Sequence, residues 1–194
     1  MSLQIVLASS SPYRRELLAR LGLRFKSRSP EVDETPHPDE PPRALAARLA
    51  RSKAEAVAAE FGSPALVIGS DQVASVNGSP VGKPGSRERA FAQLKAASGR
   101  TVEFYTAVTV VDSATNQQQQ ALDLTRVHFR ALEDGEIERY LDREQPYDCA
   151  GSFKAEALGI TLFDSIESND PTGLIGLPLI GLARLLRHFD CDLP

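Results

Sequence analysis

Cysteine and histidine are scarce in this 194-residue chain, with two of the first and three of the second. Cys149 and Cys191 stand far apart without a CxxC spacing, so neither a disulfide framework nor a zinc site is suggested. His37, His128 and His188 are equally scattered, which favours single solvated or hydrogen-bonded histidines over a metal cluster. Positive charge is also short. The formal net charge of -4 argues against nonspecific adhesion to nucleic acid or acidic membranes, although a local basic cleft can still take a small polyanion. No apolar run approaches the roughly 20 residues of a spanning helix, and MSLQIVLASSSP lacks the basic flank and long apolar core of a signal peptide. The expectation is a cytoplasmic protein with a small partner, neither nucleic acid nor membrane.

What is present is an ordinary globular composition, 42% hydrophobic and 25% charged, enough for one domain over residues 1–194. The central stretch is ALVIGSDQ. Leu66, Val67 and Ile68 read as a short buried strand, Gly69 and Ser70 open the backbone at its end, and Asp71 is delivered to the strand terminus. There it is either a catalytic carboxylate at a cleft edge or a residue that bonds a turn N–H. Earlier in the chain, residues 3–8 form an apolar strand running into Ser9, Ser10, Ser11 and Pro12. The helix that follows carries Leu17, Leu18 and Leu21, with Ser11 as N-cap and Gly22 at its end. Helix N–H groups, the positive end of its dipole, Arg14 and Arg15 converge there, either as a phosphate cradle or as an ordinary capped helix with two solvated arginines.

The segment PEVDETPHPDEPP holds Glu31, Asp33, Glu34, Asp39 and Glu40, and its prolines forbid a regular element. It is either a source of hard oxygen ligands for Mg²⁺ or Mn²⁺, with Glu34 the candidate, or a solvated connector. A long helix over 42–61 aligns Leu45, Leu49, Lys53 and Val57, which puts an ammonium on the apolar row, where it snorkels or meets an anion. Asn77-Gly78 predicts a type I′ hairpin whose return arm brings Lys83 toward Asp71. Ser86 caps a further helix. Residues 101–112 and 122–129 are strands expected to pair as an antiparallel ribbon, the second with a bulge where its apolar parity shifts between Leu124 and Val127. A helix over 133–144 precedes the irregular PYDCAGSFKAEALG, with Gly151, Ser152, Lys154 and Glu156. A strand over 160–166 and a last helix with Leu179, Leu182, Leu185 and Leu186 complete an α/β domain around a twisted mixed sheet.

The strand followed by SSSPYRRELL, then PEVDET, Lys53 in RSKA, GSDQV, GKP at residues 82–84, CAGSFKAEALG and GLPL occur in one order over nearly the whole chain. Together they closely resemble the Maf nucleotide pyrophosphatases. The resemblance implies the inosine-triphosphate-pyrophosphatase-like α/β fold, often a homodimer. It implies a cleft for a nucleoside triphosphate and a divalent metal, Mg²⁺ or Mn²⁺, and hydrolysis between the α and β phosphates to a monophosphate and pyrophosphate. Asp71 would be the proton acceptor and, with Glu34, a metal ligand. Lys53 and Lys83 would serve catalysis, and Ser9, Ser11, Arg14, Arg15 and Lys154 would meet the phosphates.

Tyr13, Gln72 and Glu156 bear on the base. The branch of the family acting on dTTP and UTP has Arg, Thr and Gln at these places, and the pattern here is similar to the branch that hydrolyses 7-methyl-GTP, except that Tyr13 replaces a Trp. Methylation at N7 makes guanine cationic. An aromatic face then attracts it by roughly 0.5 to 2 kcal/mol, and a carboxylate can also accept from the guanine N–H edge. Tyr13 is otherwise a first-turn aromatic packed on a neighbouring helix. Two readings stand against 7-methyl-GTP hydrolysis: the same reaction on dTTP or UTP, and a non-catalytic nucleotide-binding regulator of septum formation.

Overall fold

The computed structural model describes residues 4–61 and 64–193, so the expected strand start at Leu3 lies outside the described residues. Strand β1 (Gln4–Ala8) is buried from Ile5 onward. It turns into helix α1 (Pro12–Ala19), where the Ser11 hydroxyl accepts from the Arg14 N–H and Pro12 supplies a preset φ, as the sequence predicts. Gly22, at φ 69°, turns the chain into β2 (Phe25–Arg28), which pairs parallel with β1. Only Phe25 of β2 is even half-buried, so no apolar alternation betrays this strand.

Helix α2 (Pro42–Ala59) buries Leu45, Leu49, Lys53 and Val57, the row expected to face inward. Next come β3 (Ala65–Val76), β4 (Ser79–Val81), α3 (Arg87–Ala97), β5 (Thr101–Asp112), β6 (Gln118–Phe129), α4 (Asp134–Glu144), β7 (Phe163–Glu167) and α5 (Leu179–His188). The sheet runs β2-β1-β3-β5-β6-β7, with β4 added to β3. The β1 pairings with β2 and β3 are parallel and the rest antiparallel, so the sheet is mixed, as expected. The β3–β4 hairpin turns through Asn77 and Gly78 at φ 52° and 80°, the signature of a type I′ turn.

Alternation along β3 assigns its two faces. Ala65 and Val67 pack with Ala54 and Val57 of α2, whereas Leu66 and Ile68 pack with Leu17 and Leu18 of α1 and Leu182 and Leu186 of α5. Burying a Leu or Ile of this kind contributes about 1.5 to 3 kcal/mol. Helix α2 crosses β3 so closely that a Cβ at Gly69 would lie 2.2 Å from the Ala50 carbonyl oxygen. A third cluster, around Phe104, Phe129 and Phe153, packs against α3 and α4. Among the described residues no helix is long and apolar enough to cross a membrane.

Three local expectations are corrected. β3 does not stop at Ile68 but continues to Val76, because β5 pairs with it from Leu66 through Ser75. The bulge expected between Leu124 and Val127 is absent, since β5 and β6 keep one register from Thr101↔His128 to Val111↔Gln118. The apparent parity shift arises because polar Asp123 and Thr125 take inward positions and are buried. Finally, residues 158–162 form a 3-10 turn rather than strand; the Leu158 N–H donates to the Glu144 carboxylate, and β7 begins at Phe163.

Candidate active site

Pairing along β3 creates the site. On one edge β1 ends its ladder at Ala8↔Gly69, and β4 begins only at Ala74↔Val81. Residues 70–73 therefore have β5 on one side and an open edge on the other. Asp71 is thus not at a strand terminus, as the sequence suggested, but mid-strand beside a gap in the sheet. A continuous ladder to β5 fixes its backbone, while the missing neighbour exposes its side chain to a cleft.

That cleft encloses roughly 650 Å³, and its lining includes Ser9, Ser11, Tyr13, Arg14, Glu34, Lys53, Asp71, Gln72, Lys83 and Glu156. Its size is that of a small-ligand site. At its floor, Lys53 Nζ lies 2.6 Å from Asp71 Oδ1 and 2.6 Å from Glu34 Oε1. Lys53 and Asp71 are 6% and 7% exposed, whereas the Glu34 side chain, on the proline-rich loop, is 61% exposed. Lys53 therefore meets anions rather than snorkelling. Partial burial pushes the Glu34 carboxyl up, but the bond from Lys53 and the charges of Lys53, Lys83 and Arg14 outweigh it and hold the group below its ordinary value.

The α1 N-terminus forms another part of the cleft lining. Ser9 is buried, and its Oγ accepts from the Ser11 N–H at 3.1 Å. The Arg14 Nε donates to the Gly176 carbonyl at 2.8 Å, which aims the guanidinium along the cleft. Burial lowers the Arg14 pKa, against the opposing pull of Asp71 and Glu34. Lys83 follows β4 at the exposed lip, as the hairpin register predicts.

Two expected phosphate contacts are not among the residues that line the cleft. Arg15 is exposed and absent from the lining, because consecutive helical residues point about 100° apart and Arg14 takes the inward direction. Lys154 is also absent from the lining. Its ammonium lies 3.3 Å from a Glu144 carboxylate oxygen, and this ion pair draws it toward the end of α4. Cys149, by contrast, does line the cleft, with its thiol pushed up to about 12 by burial and by Asp148.

Tyr13 lines the cleft; burial, with the nearby Cys149 and Asp148, raises its phenol pKa. Glu156 is exposed and also lines the cleft, near enough for its charge to act on Tyr13. The Gln72 amide nitrogen is within 3.0 Å of Thr106 Oγ1 and of the Gly173 and Leu174 carbonyls, so its N–H groups hold the 173–176 segment. Ser70 reinforces this, with its hydroxyl 3.0 Å from the Gly176 carbonyl. Gly176 was not singled out from sequence, and Ser70 was read there only as opening the backbone after the strand; a backbone carbonyl that orients an arginine has no residue-type signal.

Among the described residues no group of three or more His, Cys, Asp or Glu side chains is placed to hold a metal ion. Asp71 and Glu34 nevertheless converge on one ammonium. Two carboxylates are a sufficient protein share for Mg²⁺, which keeps several waters and takes substrate phosphate oxygens for the rest. The donor set fits a cation that takes most of its ligands from outside the protein better than one caged by protein side chains.

The family described as Maf-like protein matches residues 4–189. The 7-methyl-GTP pyrophosphatase of Xanthomonas oryzae pv. oryzae (strain MAFF 311018) is 58% identical over 98% of this chain and 99% of that protein. The 7-methyl-GTP pyrophosphatase of Burkholderia lata is 55% identical over 98% of this chain and 91% of that protein. Among solved structures, the Staphylococcus aureus Ham1 protein superposes with a TM-score of 0.52 at 16% identity, covering 96% of this chain and 97% of that one. This last likeness is one of fold, and it agrees with the α/β architecture expected from the sequence.

Proposed function

The chain belongs to the Maf-like protein family, and on that premise we propose that it hydrolyses the α–β phosphoanhydride of 7-methyl-GTP, releasing 7-methyl-GMP and pyrophosphate. The reading rests on one observation above all. A buried ammonium, Lys53, holds Asp71 and Glu34 together at 2.6 Å each, in a cleft that is also lined by an aromatic ring, Tyr13, and a further carboxylate, Glu156.

The chemistry follows from these groups. The triphosphate lies along the α1 N-terminus, with Ser9 and Ser11 hydroxyls, helix N–H groups, Arg14 and Lys83 offsetting its charge. With Oδ1 bonded to Lys53, Asp71 keeps Oδ2 for a water molecule. As the water oxygen bonds to phosphorus and the α–β anhydride bond breaks, Asp71 takes the proton. Lys53 holds the Asp71 carboxylate in place for that role through the 2.6 Å contact and stabilises charge as it develops. Glu34 and Asp71 would hold the divalent cation, which when bound neutralises phosphate charge and makes water more acidic.

Tyr13 and Glu156 select the base. A cationic 7-methylguanine gains cation–π attraction from the ring and Coulomb attraction from the carboxylate, and neutral guanine gains neither. Gln72 supports this end indirectly, through the 173–176 segment. Mg²⁺ or Mn²⁺ as cofactor, work in the cytoplasm and assembly as a homodimer complete the proposal, and the last of these rests on the resemblance alone. The test is pyrophosphate release from 7-methyl-GTP, GTP, dTTP and UTP with Mg²⁺ or Mn²⁺. Preference for 7-methyl-GTP is expected; preference for a pyrimidine would overturn the assignment of the base, and no release from any of the four would overturn the reaction.

A further inference from the structure

Glu34 sits on a segment, residues 29–41, that has no helix or strand of its own, so something outside it must fix where its carboxylate stands. Within the segment the bonds are short-range: the Thr35 N–H donates to Asp33 at 2.9 Å and the His37 N–H to Glu40 at 3.1 Å. Arg48 of α2 reaches across to it at two points. Its Nε donates to Glu40 Oε1 at 2.7 Å and its Nη2 to Glu40 Oε2 at 2.8 Å. The same Nη2 donates to the Thr35 carbonyl at 3.0 Å, one residue from Glu34.

From this geometry we infer that Arg48 is the positioning residue for Glu34: its fork pins the acidic segment to the helix that also carries Lys53, and so sets the separation of Glu34 from Asp71. The inference rests on the proposed function for the role of Glu34, but not for the contact itself. The fork suits the task because a planar guanidinium binds a carboxylate with two donors while another N–H reaches a carbonyl, which a lysine cannot reproduce. The Glu40 side chain is only 9% exposed and that of Arg48 26%, and Arg48 holds the Glu40 carboxyl down to about 2. The clasp therefore stays ionised across the working pH range. Lys53 alone would leave Glu34 a long side chain on a wandering backbone, and a ligand that wanders binds its cation weakly.

The test compares the intact protein with Arg48→Met and Arg48→Lys. In Arg48→Met the Mg²⁺ concentration for half-maximal pyrophosphate release is expected to rise by about tenfold or more, the usual cost of losing a group that orients a metal ligand. kcat at saturating Mg²⁺ stays near that of the parent, and Arg48→Lys recovers only part of the loss. Independently of activity, amide hydrogen exchange over residues 33–40 of the metal-free protein should quicken while α2 and β3 keep their protection. Unchanged exchange over 33–40 would overturn the inference. Equal quickening across α2 and β3 would also overturn it, because Arg48 would then be holding the fold. A parent protein that releases no pyrophosphate would defeat the proposed reaction, whereas the exchange pattern would still decide what Arg48 holds.

Discussion

Replacing Asp71 with Asn separates catalysis from stability, because the amide is nearly the same shape but cannot take a proton from water. In the parent, Lys53 Nζ bridges Asp71 and Glu34 at 2.6 Å each. In Asp71→Asn the amide oxygen can still accept from Lys53, and Glu34 still balances its charge. What is lost is the difference between a charged and a neutral acceptor, about 1 kcal/mol. For a chain of this size that is about 2 to 4 °C in Tm. The loss of a general base is far larger, about 10²- to 10⁴-fold in rate, or roughly 2.7 to 5.4 kcal/mol of barrier. Lys53→Met gives the opposite balance at the same site. It removes the ammonium 2.6 Å from the Asp71 carboxylate, which is 7% exposed, and breaking a buried pair from one side costs about 3 to 5 kcal/mol. Thermal unfolding and pyrophosphate release from 7-methyl-GTP, measured on both variants, decide the matter. A folded Asp71→Asn protein that keeps a tenth or more of the parent turnover would refute the role of Asp71 as proton acceptor.

Three further outcomes follow from particular contacts. Glu156→Gln keeps hydrogen-bond acceptance but removes the charge facing a cationic base, so the ratio of kcat/KM for 7-methyl-GTP over GTP should fall while GTP turnover changes little; an unchanged ratio excludes Glu156 from base selection. Gly69→Ala places a Cβ 2.2 Å from the Ala50 carbonyl oxygen and 2.6 Å from the Ala54 nitrogen. Because both are backbone atoms, α2 must move, at a cost of about 1 to 3 kcal/mol or more; a variant with parental Tm and activity would refute the close crossing. Burial raises the Asp123 pKa above its ordinary 3.8, and Asp170 adds to this, against bonds from Thr125 and Ser168. The folded state then binds this proton more tightly than the unfolded state, so stability declines as pH rises from 3.8 through the raised value. Asp123→Asn keeps an acceptor for both hydroxyls and removes that decline. Urea unfolding at pH 4 and pH 7 should give a change in stability from pH 4 to pH 7 that is more positive in the variant than in the parent, and an equal change would sink the argument.

By itself the sequence determined every feature that depends on neighbours in the chain. Ser11-Pro12 starts α1, the row Leu45, Leu49, Lys53 and Val57 sets the inner face of α2, and Asn77-Gly78 turns the hairpin, because caps, periodicity and left-handed turn positions are local. The order of its motifs carried the family, and the convergence of Lys53 with a carboxylate was legible from one misplaced charge on an apolar face. Only the tertiary structure decided which partners those side chains meet across the sheet. Asp71 reaches a cleft because β1 ends opposite Gly69, a fact recorded in β1 and not in β3. Lys154 is absent from the cleft lining and paired with Glu144 on α4; Arg15 points outward because Arg14 is claimed by the Gly176 carbonyl. Strand β2 forms on three exposed positions because β1 offers it a free edge. In each case the deciding interaction joins residues far apart in sequence, and a residue's type states what it can bond to but not what the fold sets beside it.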